Sequence, residues 1–190
     1  MSASLTWHGW LVVLLYCCSE AALTLHRRAG HKTEKADQNS LAWIWGILSG
    51  GILVALLLEG RLPFADLAWF RAHHSVGIAL FLAGLALRAY AVIHLGRFFT
   101  VNVAIASDHK VVDDGPYRWL RHPSYTGLLI AYLGIGLCLS NWVAVLVVLL
   151  PTTVVLVWRI VIEERALCAA LGEEYRAYMQ RTWRLIPFIY

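Results

Sequence analysis

Gly127-Leu-Leu-Ile-Ala-Tyr-Leu-Gly-Ile-Gly-Leu-Cys-Leu139, then Ser140-Asn141, then Trp142-Val-Ala-Val-Leu-Val-Val-Leu-Leu-Pro-Thr-Thr-Val-Val-Leu-Val-Trp-Arg-Ile-Val-Ile162, is the stretch from which the fold is read. Two apolar runs are parted by two polar residues, too few for anything but a tight reversal, so they predict a helical hairpin. A helix needs roughly 20 apolar residues to cross about 30 Å of hydrocarbon. The second run is long enough with some tilt, and the first is short on its own.

Working toward the amino terminus, Val76–Leu95 forms a third such run with Arg88 inside it, Leu41–Leu58 another, and Leu5–Leu25 another, broken only by His8 and Glu20. With 59% hydrophobic residues, 15% charged and a mean hydropathy of +0.63, the 190-residue chain reads as one all-α integral membrane domain of about five transmembrane helices. Residues 1–95 would hold three of them. Residues 96–190 would hold a polar segment, the hairpin and a tail forming a cofactor-binding lobe. The first run has no basic residue ahead of it and no small-residue cleavage site, so it is expected to stay.

The net charge of +4 comes from basic residues dispersed in short loops rather than gathered into a patch, which excludes nucleic acid as the natural partner and points to membrane lipid. Arg27, Arg28, Lys32 and Lys35 follow the first run, Arg97, Lys110, Arg118 and Arg121 the third, and Arg165, Arg176, Arg181 and Arg184 the fifth. Arg61 and Arg71 alone follow the second, and the hairpin tip has no basic residue. The alternation predicts an outer amino terminus and a cytoplasmic carboxy terminus. Cys17, Cys18, Cys138 and Cys168 show no metal-ligand spacing and read as buried, inert thiols. Gly46 and Gly50 have the GxxxG spacing of close helix packing.

Polar chemistry concentrates in two places. Asp108-His-Lys-Val-Val-Asp-Asp-Gly-Pro-Tyr-Arg-Trp-Leu-Arg-His-Pro-Ser-Tyr-Thr-Gly127 carries a polar segment straight into an apolar helix. Pro123 biases His122 away from helical dihedrals, Ser124 is placed to cap the first turn, and the free N–H groups there suit an anion. The alternative is an interfacial loop, with Arg118 and Arg121 on lipid phosphates and Tyr117, Trp119 and Tyr125 in an aromatic belt. The second place is the inner end of the last helix. There Arg159 and Glu163, four apart, share a face, while Glu164 and Arg165 read as side chains snorkelling to the interface. The hairpin brings the two places together.

Gly115-Pro-Tyr, Arg121-His-Pro-Ser-Tyr-Thr-Gly127, Glu163-Glu164, Gly172-Glu-Glu-Tyr175 and the Ile186-Pro-Phe-Ile ending together resemble the isoprenylcysteine carboxyl methyltransferase family. The resemblance implies a membrane enzyme that uses S-adenosyl-L-methionine to methylate the carboxylate of a lipophilic, prenylated acceptor, with no metal required. It implies a cofactor pocket lined by Asn102, His109, Lys110, Val111, Val112, Tyr117, His122, Pro123, Ser124, Tyr125 and Glu163. It also implies Arg159 at the acceptor carboxylate, so that Arg159→Ala would abolish turnover and spare cofactor affinity. Arg88, an intramembrane charge, is a further candidate for the acceptor path, with snorkelling as its alternative. A phospholipid or small-lipid N-methyltransferase, a nicotinamide-dependent membrane reductase and a nonenzymatic membrane subunit are the competing readings.

Overall fold

A computed structural model describes residues 13–18, 38–99 and 110–190, and every described regular element is helical. Residues 13–18 form α1, Gln38–Leu58 α2, Ala68–Ala72 the short α3, His74–Leu95 α4, Pro123–Cys138 α5 and Trp142–Gln180 α6. Single 3₁₀ turns occupy Pro63–Ala65, Gly96–Phe98 and Gly115–Arg118. Among the described residues, α4 and α6 are long and apolar enough to cross a membrane, and Trp45–Leu58 and α5 are shorter apolar helices. Of the expected first run only α1 falls within the described residues.

The hairpin forms where the sequence places it. Ser140 takes φ +52, and Asn141 caps α6 by accepting from the Ala144 N–H at 3.1 Å. The tip is pinned to the α2–α3 connection, because Leu67 N–H donates to Ser140 O at 2.8 Å and Asn141 Nδ2 donates to Leu62 O at 3.4 Å. The backbone of this sharp reversal thus gains local partners, as chain leaving an apolar layer requires, while the Ser140 hydroxyl is buried without one.

Two helix boundaries differ from expectation. α5 begins at Pro123, since proline fits the first helical position where no N–H partner is needed. α6 continues to Gln180 instead of stopping at Ile162, with non-helical backbone at Gly172 (φ 58, ψ −129). From Trp142 to that break a rise of about 1.5 Å per residue gives about 45 Å, more than the hydrocarbon thickness. The charges at Glu163, Glu164 and Arg165 therefore mark where the helix leaves an apolar layer and not where it ends. Beyond Gly172 the last turns bring Tyr178 back so that its hydroxyl donates to Tyr117 O at 2.8 Å.

The core is built from one stripe of each long helix. Leu48, Ile52, Ala55 and Leu56 of α2 meet Ala144, Val148, Val155 and Leu156 of α6, with Leu128, Ala131, Tyr132 and Ile135 of α5 between them and Phe81 of α4 alongside. Pro151 cannot donate to Val147 O, and Gly51 of α2 lies against that carbonyl, a Cβ there coming to 3.2 Å. Tyr132 donates to the Tyr16 hydroxyl at 2.9 Å, their rings edge to face at 5.2 Å, and this joins α1 to α5. Leu53, Val54 and Leu57 of α2, like Leu146, Leu150 and Val154 of α6, turn outward, as suits helices solvated by lipid.

Two expectations about packing are corrected. Gly46 and Gly50 meet no described atom within 4 Å of an added Cβ, so the GxxxG pair is not a helix contact here. The close approach lies between α4 and α5, at Gly77, Gly84, Gly127 and Gly134, where an added Cβ would come within 2.4–2.7 Å of the opposing helix. Cys138 is buried as expected. Cys17 and Cys18 are exposed, because Tyr16 takes the inward position of α1, and Cys168 is only half-buried.

Candidate functional site

The inward stripe of α6 runs Val148, Thr152, Val155, Leu156, Arg159 and Ile160, so helical periodicity alone drives Arg159 into the interior. It is 2% exposed. A guanidinium held there needs an anion, and one turn later Glu163 supplies it, with Nε to Oε1 at 3.1 Å. The same carboxylate oxygen accepts the Tyr125 hydroxyl at 2.5 Å, and the Tyr125 ring stacks on His122 with centroids 5.6 Å apart. One nitrogen of His122, Nδ1, lies 3.6 Å from Glu163 Oε2 and the other, Nε2, 3.5 Å from Glu164 Oε1. The α5 start and the middle of α6 are therefore joined by side chains as well as by the hairpin.

Arg88 reaches this cluster from α4, donating through Nη1 to Ser124 Oγ at 3.0 Å. Ser124 accordingly does not cap α5. The capping position belongs to His122, whose side chain makes no capping bond, and the Ser124 hydroxyl is turned to Arg88.

Glu164 is the residue sequence reasoning misread. It is 4% exposed and forms ion pairs with Arg121 Nη1 at 2.9 Å and Arg184 Nη2 at 2.9 Å, Arg184 Nε adding a hydrogen bond at 3.0 Å. The Arg121 contact is close without being an aligned hydrogen bond, since Arg121 Nε and Glu164 Oε1 are both buried without one. The hydrogen bond to Glu164 raises the Arg184 pKa above the usual arginine range, so that charge is permanent. Arg121 is drawn inward instead of meeting lipid phosphate. Arg118 and Trp119, exposed with Arg118 Cζ 5.5 Å from the indole centroid, do keep the interfacial pattern.

The remaining sequence candidates lie on the approach to α5. Lys110 is exposed, and Val111 and Val112 are half-buried. Pro123 is buried at the helix start. Tyr117 is buried and anchors the approach, donating to Ala91 O at 3.3 Å while its own carbonyl receives Tyr178. Asn102 and His109 fall outside the described residues.

A second anchor holds the same approach. His94 Nε2 and Asp114 Oδ1 are 2.8 Å apart, and the His94 ring occupies the space a Cβ on Gly115 would need, at φ +53 where only glycine is unstrained. The hydrogen bond to His94 holds the Asp114 carboxyl below its ordinary value of 3.8. Because the folded pKa is depressed, the latch is intact above the ordinary value and is lost as pH falls through the folded one. Carboxyl NMR titration is expected to place Asp114 below 3.8 in the native protein and to return it to the ordinary range in His94→Gln. An unmoved midpoint in that variant would remove the latch.

Fold and site together define an intramembrane protein, all-helical over its described residues, with buried guanidinium and carboxylate groups gathered near the middle of α6. A profile described as the isoprenylcysteine carboxyl methyltransferase (ICMT) family matches residues 77–169, from α4 through the arginine and glutamates of α6. Protein-S-isoprenylcysteine O-methyltransferase B of Arabidopsis thaliana is 30% identical over 95% of this chain and 91% of its own length. The protein-S-isoprenylcysteine O-methyltransferase of Schizosaccharomyces pombe is 33% identical over 83% of this chain and 76% of its own. The chain belongs to the isoprenylcysteine carboxyl methyltransferase family. Its fold is similar to that of a eukaryotic intramembrane Ras methyltransferase ICMT, with TM-score 0.58 and 25% identity, over 83% of this chain and 55% of that one.

Proposed function

We propose that the protein is a membrane carboxyl O-methyltransferase that uses S-adenosyl-L-methionine to esterify the carboxylate of a lipophilic acceptor such as a carboxy-terminal isoprenylcysteine. The observation that carries this reading is the part-buried Arg159–Glu163–Tyr125 cluster beside His122, inside the segment that matches the family. The donor set fits both reactants. Glu163 offers an anion to a cofactor whose ammonium and sulfonium are positive, the His122 and Tyr125 rings offer flat faces to an adenine, and Arg159 offers a planar fork to a carboxylate.

The cofactor supplies an electrophilic methyl group on sulfur. The chain's own part is alignment and exclusion of water, because opposite charges are lost in the displacement and a dry site favours that loss. An acceptor carboxylate with pKa near about 4 is already ionised at neutral pH, so no side chain need remove a proton. Arg159 orients the acceptor, Glu163 holds the cofactor's positive end, and Arg88, tied to Ser124, lies on the acceptor's path from the bilayer. Lys110, Val111, Val112 and Tyr117, with Asn102 and His109, would complete the cofactor side.

In the bilayer the 190 residues make a single domain of five spans, amino terminus outside and carboxy terminus cytoplasmic. Loop charge supports the orientation. The end of α4 that carries His94 and the stretch of α6 around Glu163 share a side with the start of α5, opposite the hairpin tip, which supports one cytoplasmic lobe receiving soluble cofactor while acceptor enters laterally.

Calorimetric titration of S-adenosyl-L-methionine and of a nicotinamide cofactor into the detergent-purified protein, with His122→Ala and Glu163→Ala alongside, tests the cofactor. Saturable binding of the first alone, weakened at least about tenfold in both variants, is expected. Transfer of labelled methyl to an S-prenylated cysteine should then give a product that releases methanol in alkali, as an ester does. Alkali-stable label on phosphatidylethanolamine would instead identify an amine methyltransferase.

A further inference from the structure

Glu164 draws together three parts of the chain that no helix pairing joins. It stands on α6, Arg121 on the approach to α5, and Arg184 on the carboxy-terminal tail. The tail runs beside that approach in a short parallel bridge, with Trp183 N–H donating to Trp119 O at 3.0 Å, Arg121 N–H to Trp183 O at 2.7 Å and His122 N–H to Arg184 O at 3.1 Å. The Thr126 hydroxyl extends the seam to Leu185 O at 2.7 Å. Arg184 is itself braced by Tyr190, donating to its hydroxyl at 3.0 Å with Cζ 5.0 Å from the ring centroid.

Three polar atoms of this node, Arg121 Nε, His122 Nε2 and Glu164 Oε1, are buried and have no aligned hydrogen bond, so they are held by charge, while Arg184 is partly exposed and lines a cavity with Glu164. Two guanidiniums and one edge of an imidazole crowd a single carboxylate. Without its charge the arginines repel, and the seam that fixes His122 loses its clamp.

We propose that Glu164 is a positioning residue: by clamping Arg121 and the Arg184 tail it fixes the turn from His122 to Tyr125, and so sets affinity for the methyl donor without touching it. This rests on the cofactor reading above. It separates the two adjacent glutamates by role, Glu163 facing the reactants and Glu164 holding the wall of the site.

The test uses the full chain in detergent with Glu164→Gln, Arg184→Gln and the double variant, in which a buried carboxylate and one of its guanidiniums are neutralised together. Amide hydrogen exchange without cofactor should quicken at Arg121, His122 and Trp183 in Glu164→Gln and stay unchanged in α4. Affinity for S-adenosyl-L-methionine should fall at least about tenfold, with turnover at saturating cofactor within about threefold of the parent. The double variant should recover melting temperature and remain weak in binding. Recovery of affinity with stability in the double variant would make the role merely structural and overturn the proposal. So would unchanged exchange at the three amides, or lost turnover at saturating cofactor. If the parent protein fails to bind S-adenosyl-L-methionine while the exchange pattern appears as stated, the cofactor reading falls and the clamp stands.

Discussion

Arg159→Lys is expected to lower methyl transfer to a prenylated carboxylate by about two orders of magnitude, while affinity for S-adenosyl-L-methionine stays within about threefold of the parent. Lysine keeps the positive charge beside Glu163, so the half-buried carboxylate retains its counter-ion. What disappears is the planar fork, and with it the bidentate hold on an acceptor carboxylate. An ammonium at the end of a flexible chain can attract that carboxylate without aligning it, and misalignment by about 1 Å is enough to cost two orders of magnitude in rate.

Alanine at the same position is a blunter probe than the sequence suggests. Arg159 Nε and the Tyr125 hydroxyl both point to Oε1 of Glu163. Removing the guanidinium leaves a half-buried carboxylate with its hydroxyl donor and no cation on that oxygen, a change that costs less than the ~3–5 kcal/mol of a fully buried pair. Arg159→Ala is therefore expected to abolish turnover and, through Glu163, to weaken cofactor binding and stability too. Steady-state kinetics with direct binding separates the cases. Full activity in Arg159→Lys, or equal loss of binding and turnover in that variant, would detach Arg159 from the acceptor.

Helical periodicity made much of this legible. The α4 run was bounded to within two residues of its start because its apolar residues are continuous and His73 and His74 precede them. The hairpin was legible because Ser140-Asn141 is the one polar interruption between two long apolar runs. His122, Ser124, Tyr125, Arg159 and Glu163 were expected to converge, and they do, since Arg159 and Glu163 share a face of α6 and the hairpin leaves α5 beside it. What could not be read depended on partners distant in sequence. Glu164 looks like a snorkelling side chain until Arg184, twenty residues on, and Arg121, on another segment, are seen to close on it. The end of α6 was misplaced because a charged triplet signals a change of solvent, and a helix can cross that boundary unbroken. GxxxG misled because it states that a helix face is small, and α2 has no neighbour to use that face among the described residues.

The glycines that do carry packing give the largest expected effect on folding. Gly77 and Gly84 are seven apart, as are Gly127 and Gly134, so each pair lies on one face of its helix and the antiparallel helices meet twice. A Cβ on Gly84 would stand 2.4 Å from Ala131 N and 2.5 Å from Gly127 O, and one on Gly134 2.5 Å from Phe81 N. These obstacles are backbone, so no rotamer change relieves them and the helices must part. Overpacking that side chains can absorb costs about 1–3 kcal/mol. Here the loss includes the close contact along the α4–α5 seam, and Gly84→Leu is expected to yield no monodisperse folded protein in detergent. Gly84→Ala should fold with a lowered melting temperature and reduced transfer, because parting the helices also draws Arg88, one turn beyond Gly84, from Ser124. Gly46→Ala and Gly50→Ala meet no atom of the described residues within 4 Å and should be neutral or stabilising by up to about 1 kcal/mol, the helix preference of alanine over glycine. Thermal melts of the four variants decide the matter: if Gly50→Ala costs as much as Gly84→Ala, the α4–α5 seam is not what holds these helices together.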